Sequence, residues 1–140
     1  MAEYRRTESR GVLMYVTVNN YASVFSEFGY TPAQTMMIEV AKIMEHNTRG
    51  TDLLARMSDN EFCLMLQNTW WDHCRGVAEK IQHQLQAITV YHEDLSLGAN
   101  IAIELVGYPQ GDLTYEKILD SADRLPFATE AASGSQPAAV

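Results

Sequence analysis

The chain has 140 residues, 18 acidic against 10 basic side chains and a formal net charge of −8. That length suits one domain with a single core, and 46% apolar residues supply enough material to bury one, which excludes wholesale disorder. The negative balance argues against non-specific binding to nucleic acid or anionic lipid, which needs a broad positive field, but leaves room for a small anion held by a few cations.

The first ten residues are locally basic through Arg5, Arg6 and Arg10, and no apolar segment follows them as a secretory signal requires. No apolar run approaches the ~20 residues that span a bilayer. Two cysteines, Cys63 and Cys74, are too few for a disulfide framework and suit a reducing compartment. A soluble, cytoplasmic domain without membrane insertion is the expectation.

Gly11 to Asn19 is a β-rich apolar run and predicts a buried central strand. Thr31, Pro32 and Gln34 form a helix start, with Thr as N-cap, Pro at the first helical position and Gln at the capping-box position. Met36, Met37, Val40, Ile43 and Met44 then recur at helical spacing, with Gly50 beyond the end. Asp52 to Met57 and Glu61 to Gln67 predict a hairpin whose turn, Ser58-Asp59-Asn60, uses residues tolerant of left-handed geometry.

Thr69 with Asp72 predicts the next helix start, and Cys74, Val77, Ile81 and Leu85 its apolar face. Leu95 to Val106 predicts another strand, and Thr114 to about Leu125 a last helix stopped by Pro126. Residues 131–140 are Ala, Ser, Gly, Gln, Pro and Val without charge and read as a tail or linker. The predicted organisation is a basic segment at 1–10, a domain at 11–130 and the tail. The order strand, helix, hairpin, helix, strand, helix predicts an α+β fold of ferredoxin-like type, a mostly antiparallel central sheet flanked by helices.

One stretch carries chemistry. In Arg49-Gly50-Thr51-Asp52-Leu53-Leu54-Ala55-Arg56-Met57-Ser58-Asp59-Asn60-Glu61-Phe62 an RxxD pair precedes a polar hairpin turn. This stretch resembles the signature of GGDEF domains, the diguanylate cyclase family, with Ser58 to Phe62 at the Gly-Gly-Asp/Glu-Glu-Phe positions. Ala78-Glu79-Lys80, Asn100-Ile101-Ala102 and Ala122-Asp123 extend the match, which covers roughly residues 12–130. The family's first helix and its DxLTxLxNR segment have no counterpart here, so flanking chain is expected.

The resemblance implies that joining two GTP molecules would need metal ions held by two carboxylates, since Mg²⁺ takes hard oxygen ligands. Those two positions hold Thr17 and Asn60. The family's guanine-reading positions hold Phe25 and Gln34, its two glycines are Ser58 and Asp59, and a late-helix lysine is Glu130. Only Glu61 is kept. The expectation is a domain that makes no cyclic di-GMP and holds no metal cofactor.

RxxD, by contrast, is the family's inhibitory site for cyclic di-GMP, and it is intact as Arg49 and Asp52. A guanidinium fork suits guanine O6 and N7 or a phosphate, and a carboxylate accepts from guanine N1 and N2. Lys80 falls where the family adds a second cation, usually arginine, and keeps the charge without the planar fork.

A plainer reading stands beside each of these. Arg49 could cap the carbonyls of a helix end or pair with Asp52, a surface arrangement worth little, and Arg56 could cover the sheet with its stem. The methionines read as core, and His46, His73, His83 and His92 lack metal-ligand spacing. The leading expectation is a cyclic di-GMP receptor in bacterial signalling that regulates a process such as biofilm exopolysaccharide or motility. It would act as a homodimer or with a partner signalling or secretion protein. The alternative is a dimerisation or protein-interaction module that binds no nucleotide.

Overall fold

The computed structural model describes residues 10–109 together with Leu125–Pro126. In chain order the elements are β1 (Arg10–Val18), α1 (Tyr21–Phe28), α2 (Tyr30–His46), β2 (Leu53–Ser58), β3 (Glu61–Thr69), α3 (Trp71–Gln86), β4 (Thr89–His92), β5 (Leu95–Gly98), β6 (Ile101–Pro109) and β7 (Leu125–Pro126). The main sheet runs β2-β3-β1-β6-β7 with every pairing antiparallel, and β4 and β5 form a separate hairpin. Without the short β7, the strands lie in the order second, third, first, fourth of the ferredoxin-like arrangement, as the order of elements predicts.

The alternation of β1 decides the layering, because successive side chains leave a strand on opposite faces. Val12, Met14, Val16 and Val18 join Leu64, Leu66, Ile103 and Leu105 in the main core, beneath Met36, Met37, Val40 and Met44 of α2 and Cys74, Ile81 and Leu85 of α3. Leu13 and Tyr15 leave the other face and form a smaller cluster with Cys63, Met65 and Val106. Both cysteines are buried free thiols, and the methionines of α2 are core. Central β1 is therefore covered on both faces, which explains why its sequence runs apolar without interruption.

Several boundaries differ from expectation. Tyr21–Phe28 forms a helix absent from the predicted order of elements, although Tyr21, Val24, Phe25 and Phe28 carry helical spacing. Because α1 ends at Gly29, whose φ of 99° suits glycine, α2 begins at Tyr30 without a capping side chain, and Thr31 lies inside it. Thr69 ends β3 instead of capping α3; Trp70 takes the N-cap position, 43% exposed, while Trp71 packs on the core.

The predicted strand Leu95–Val106 is two, broken between Gly98 and Ile101. There Asn20 donates to Gly98 O at 2.8 Å and accepts from Asn100 N at 2.9 Å, tying the break to the start of α1. Leu125 belongs to β7, so the last predicted helix does not include it. The rest of that helix, the 131–140 tail, Arg5, Arg6 and Glu130 lie outside the described residues. Arg10 opens β1 in place of closing a separate segment.

Candidate functional site

The end of α2 and the start of β2 build the first site. Asn47 donates to Ile43 O at 2.8 Å and Thr48 to Met44 O at 2.7 Å, so side chains satisfy two of the last helical carbonyls. Asn47 also donates to Gln84 Oε1 at 2.8 Å, which fixes this end of α2 against α3. Arg49 is thus not needed as a helix cap, and it turns to Asp52. Its backbone N–H donates to Asp52 Oδ2 at 2.8 Å, Nε to Oδ2 at 3.0 Å and Nη2 to Oδ1 at 2.9 Å, while Asp52 N–H returns a bond to Arg49 O at 3.0 Å. A tight loop results, locked by a two-pronged ion pair.

The two partners differ in access. The Asp52 side chain is fully covered, while that of Arg49 keeps 43% of its surface. Hydrogen bonding and the charge of Asp52 raise the Arg49 pKa above its ordinary value against the opposing effect of partial burial, so the guanidinium stays charged. Lys80 comes from α3, and all three residues line one pocket of about 240 Å³. His46, His73, Leu66 and Val77 share it. The histidines lack metal-ligand spacing, yet two of them belong to this pocket. The overlooked signal is that 73, 77 and 80 stand at i, i+4 and i+7, one stripe of a helix.

The second site is the β2–β3 turn. Ser58 pairs with Glu61, leaving Asp59 and Asn60 as a two-residue connection, with the register irregular between Arg56 and Ser58. Among the described residues only Asn68 and Glu93 are non-glycines with positive φ, so the expected left-handed turn is not used. Side chains hold it instead. Ser58 Oγ donates to Asn60 Oδ1 at 3.0 Å, Arg56 Nε donates to Ser58 O at 3.1 Å and Arg56 Nη2 to Asp59 O. The Arg56 guanidinium also lies 5.7 Å from the centre of the Phe62 ring, so this arginine clamps the turn.

Beneath the turn, Thr17 Oγ1 donates to Glu61 Oε2 at 3.0 Å. Asn60 Nδ2 donates to Val18 O at 3.0 Å, and Val18 N–H donates to Asn60 O at 2.9 Å. The two positions that the resemblance links to metal therefore present a hydroxyl and an amide, both already bonded, beside one carboxylate. The corner thus offers one anionic oxygen donor group, Glu61, where two carboxylates are expected from the resemblance. The adjoining cavity, about 660 Å³, is lined by Tyr21, Phe25, Tyr30, Gln34, Arg56 and Asp59 among others. Phe25 stands 6.1 Å from both Tyr21 and Tyr30, ring to ring, so the wall is aromatic.

Residues 1–134 match the family described as diguanylate cyclase, GGDEF domain. The chain belongs to the GGDEF family. It is similar to Diguanylate cyclase A of Treponema denticola, 25% identical over 125 residues, which span 89% of this chain and 33% of that protein. It is also similar to the bifunctional diguanylate cyclase/cyclic di-GMP phosphodiesterase MucR of Pseudomonas aeruginosa, 24% identical over 119 residues, 84% of this chain and 17% of that protein. The chain thus spans a third or less of the length of these curated relatives.

Among solved structures, diguanylate cyclase SiaD of P. aeruginosa, in complex with its activator SiaC, superposes with a TM-score of 0.72 at 23% identity, covering 86% of this chain and 49% of that one. The GGDEF domain of DgcB from Caulobacter crescentus, in complex with cyclic di-GMP, gives 0.72 at 12% identity, covering 87% and 72%. These likenesses establish the fold. No helix among the described residues is long and apolar enough to cross a membrane.

Proposed function

We propose that this domain is a catalytically inactive member of its family and serves as a cyclic di-GMP receptor through Arg49, Asp52 and Lys80. The observation that carries the reading is the convergence of those three residues, picked out by sequence register from two separate segments, on one pocket. Asn47 and Thr48 already cap α2, so capping does not account for Arg49. Its exposed guanidinium is available to a guanine O6/N7 edge or a phosphate. At about 240 Å³ the pocket is below the ~300–1,000 Å³ that encloses a drug-sized ligand, and would take one base or phosphate edge with the remainder outside.

Inactivity rests on the donor chemistry at the turn. Two GTP molecules bring several negative charges, and in-line attack needs cations to offset them. Thr17 and Asn60 supply no charge, and Asp59 adds one of the wrong sign. The setting we propose is cytoplasmic bacterial signalling, with occupancy altering homodimerisation or docking on a signalling or secretion partner to control a process such as exopolysaccharide production or motility.

One observation favours a second reading, a dimerisation or interaction module that binds no nucleotide. The Asp52 carboxylate is covered and occupied by Arg49, so it accepts from a guanine only if the pair opens. Titration calorimetry with cyclic di-GMP separates the two. Heat at micromolar ligand (about 8 kcal/mol of binding free energy), lost in Arg49→Ala, supports the receptor; no heat at tens of micromolar supports the module. Incubation with GTP and Mg²⁺ is expected to yield no cyclic di-GMP, and product formation would overturn the inactive assignment.

A further inference from the structure

We infer that His46 and His73 are two further ligand-contacting residues of the Arg49/Lys80 pocket and make its grip on an anion proton-linked. The inference rests on the receptor reading above and extends it to the regulation of the same site. Three elements bring titratable side chains to this pocket: His46 from the last turn of α2, Arg49 and Asp52 from the following loop, and His73 and Lys80 from α3. The wall from β3, Leu66, is apolar. Arg49 and Asp52 are joined by the two-pronged ion pair, so their charges largely cancel. Beside that neutralised pair the pocket presents the Lys80 side chain and the two imidazole rings to a ligand.

Imidazole is the side chain whose charge ordinarily changes between pH 5 and 8. Cyclic di-GMP carries two phosphodiester charges that do not titrate in that range, so any pH dependence belongs to the protein. A bound dianion favours the imidazolium form, which raises the proton affinity of each imidazole it touches. Binding then takes up protons, and the association constant falls as pH rises through the window. Exposed ion pairs are worth a few-fold each, so two of them give an effect of about five- to tenfold between pH 8 and 5.5.

The test is calorimetric titration of the chain with cyclic di-GMP at pH 5.5, 6.5 and 8.0 and constant ionic strength, for the wild type, His46→Gln/His73→Gln and His83→Gln. His83 lies on α3 but does not line the pocket. The wild type and His83→Gln are expected to bind about five- to tenfold more tightly at pH 5.5 than at pH 8.0, and the double variant to vary by less than about twofold. Proton NMR of the wild type supplies a second readout: the His46 and His73 ring signals should titrate at higher pH with ligand than without. Equal affinity at the three pH values, an undiminished pH dependence in the double variant, or unmoved ring titrations would overturn the inference and leave the receptor reading standing. Absence of binding at every pH would overturn both.

Discussion

Asp52 governs the electrostatics of the pocket without facing out of it. Its oxygens hold the Arg49 backbone N–H, Nε and Nη2, so it both closes the loop and sets the angle of the guanidinium. The spacing RxxD says that the two residues share one side of a turn; it does not say that they grip each other, which depends on a backbone reversal between Arg49 O and Asp52 N–H. Two residue-scale outcomes follow. Arg49→Ala is expected to weaken cyclic di-GMP binding at least tenfold, since hydrogen bonds from a charged donor are worth about 1.5–3 kcal/mol. Asp52→Asn keeps the size of the side chain but turns one accepting oxygen into an NH2 group facing an Arg49 N–H, so the two-pronged pair is lost and the guanidinium loosens; it is expected to cost about threefold in affinity, read in the same titration. Its effect on stability should be about 1–2 kcal/mol, because at least one of the three N–H groups of Arg49 loses its acceptor; that is a fall of about 3–6 °C in Tm. Equal loss in the two variants would instead mean that the carboxylate itself meets the ligand.

At the scale of elements, the β2–β3 hairpin ties Thr17, Asn60 and Glu61 into one hydrogen-bonded corner. Thr17 and Glu61 face each other across β1 and β3, and Asn60 is bonded to Val18 at both its backbone and its side chain. Placing a carboxylate at Thr17 would set it about where the hydroxyl now lies, 3.0 Å from Glu61. Thr17→Asp/Asn60→Asp is therefore expected to melt several degrees below wild type in chelator, through like-charge repulsion, and to recover on addition of Mn²⁺. Recovery by metal in the unaltered chain would contradict this account of the corner. Arg56→Ala removes two bonds to turn carbonyls and the contact over Phe62, at a cost of about 1–2 kcal/mol, measurable by urea unfolding. Elements with strong periodicity, β1 and the apolar faces of α2 and α3, were legible in the sequence. Those fixed by tertiary bonds were not. The break between β5 and β6 depends on Asn20, some eighty residues earlier, and the turn at Asp59 depends on Arg56 instead of a left-handed residue.

Across the whole molecule, topology was read correctly because the alternation of hydrophobic runs and amphipathic stretches leaves few ways to cover an apolar β1 on both faces. The pocket was legible only in part. Register named Arg49, Asp52 and Lys80, whereas His46 and His73 line the pocket from two helices that the sequence separates by twenty-four residues and that Asn47 and Gln84 hold together. The net charge of −8 gains meaning from this arrangement. An acidic surface disfavours polyanions in general, while the few cations that face one pocket favour a compact dianion. The central claim is that this pocket binds cyclic di-GMP, and calorimetric titration of the wild-type chain beside Arg49→Ala tests it most directly. The account predicts saturable, micromolar binding by the wild type and at least tenfold weaker binding by the variant; a flat titration of the wild type, or equal affinity in both, would contradict it.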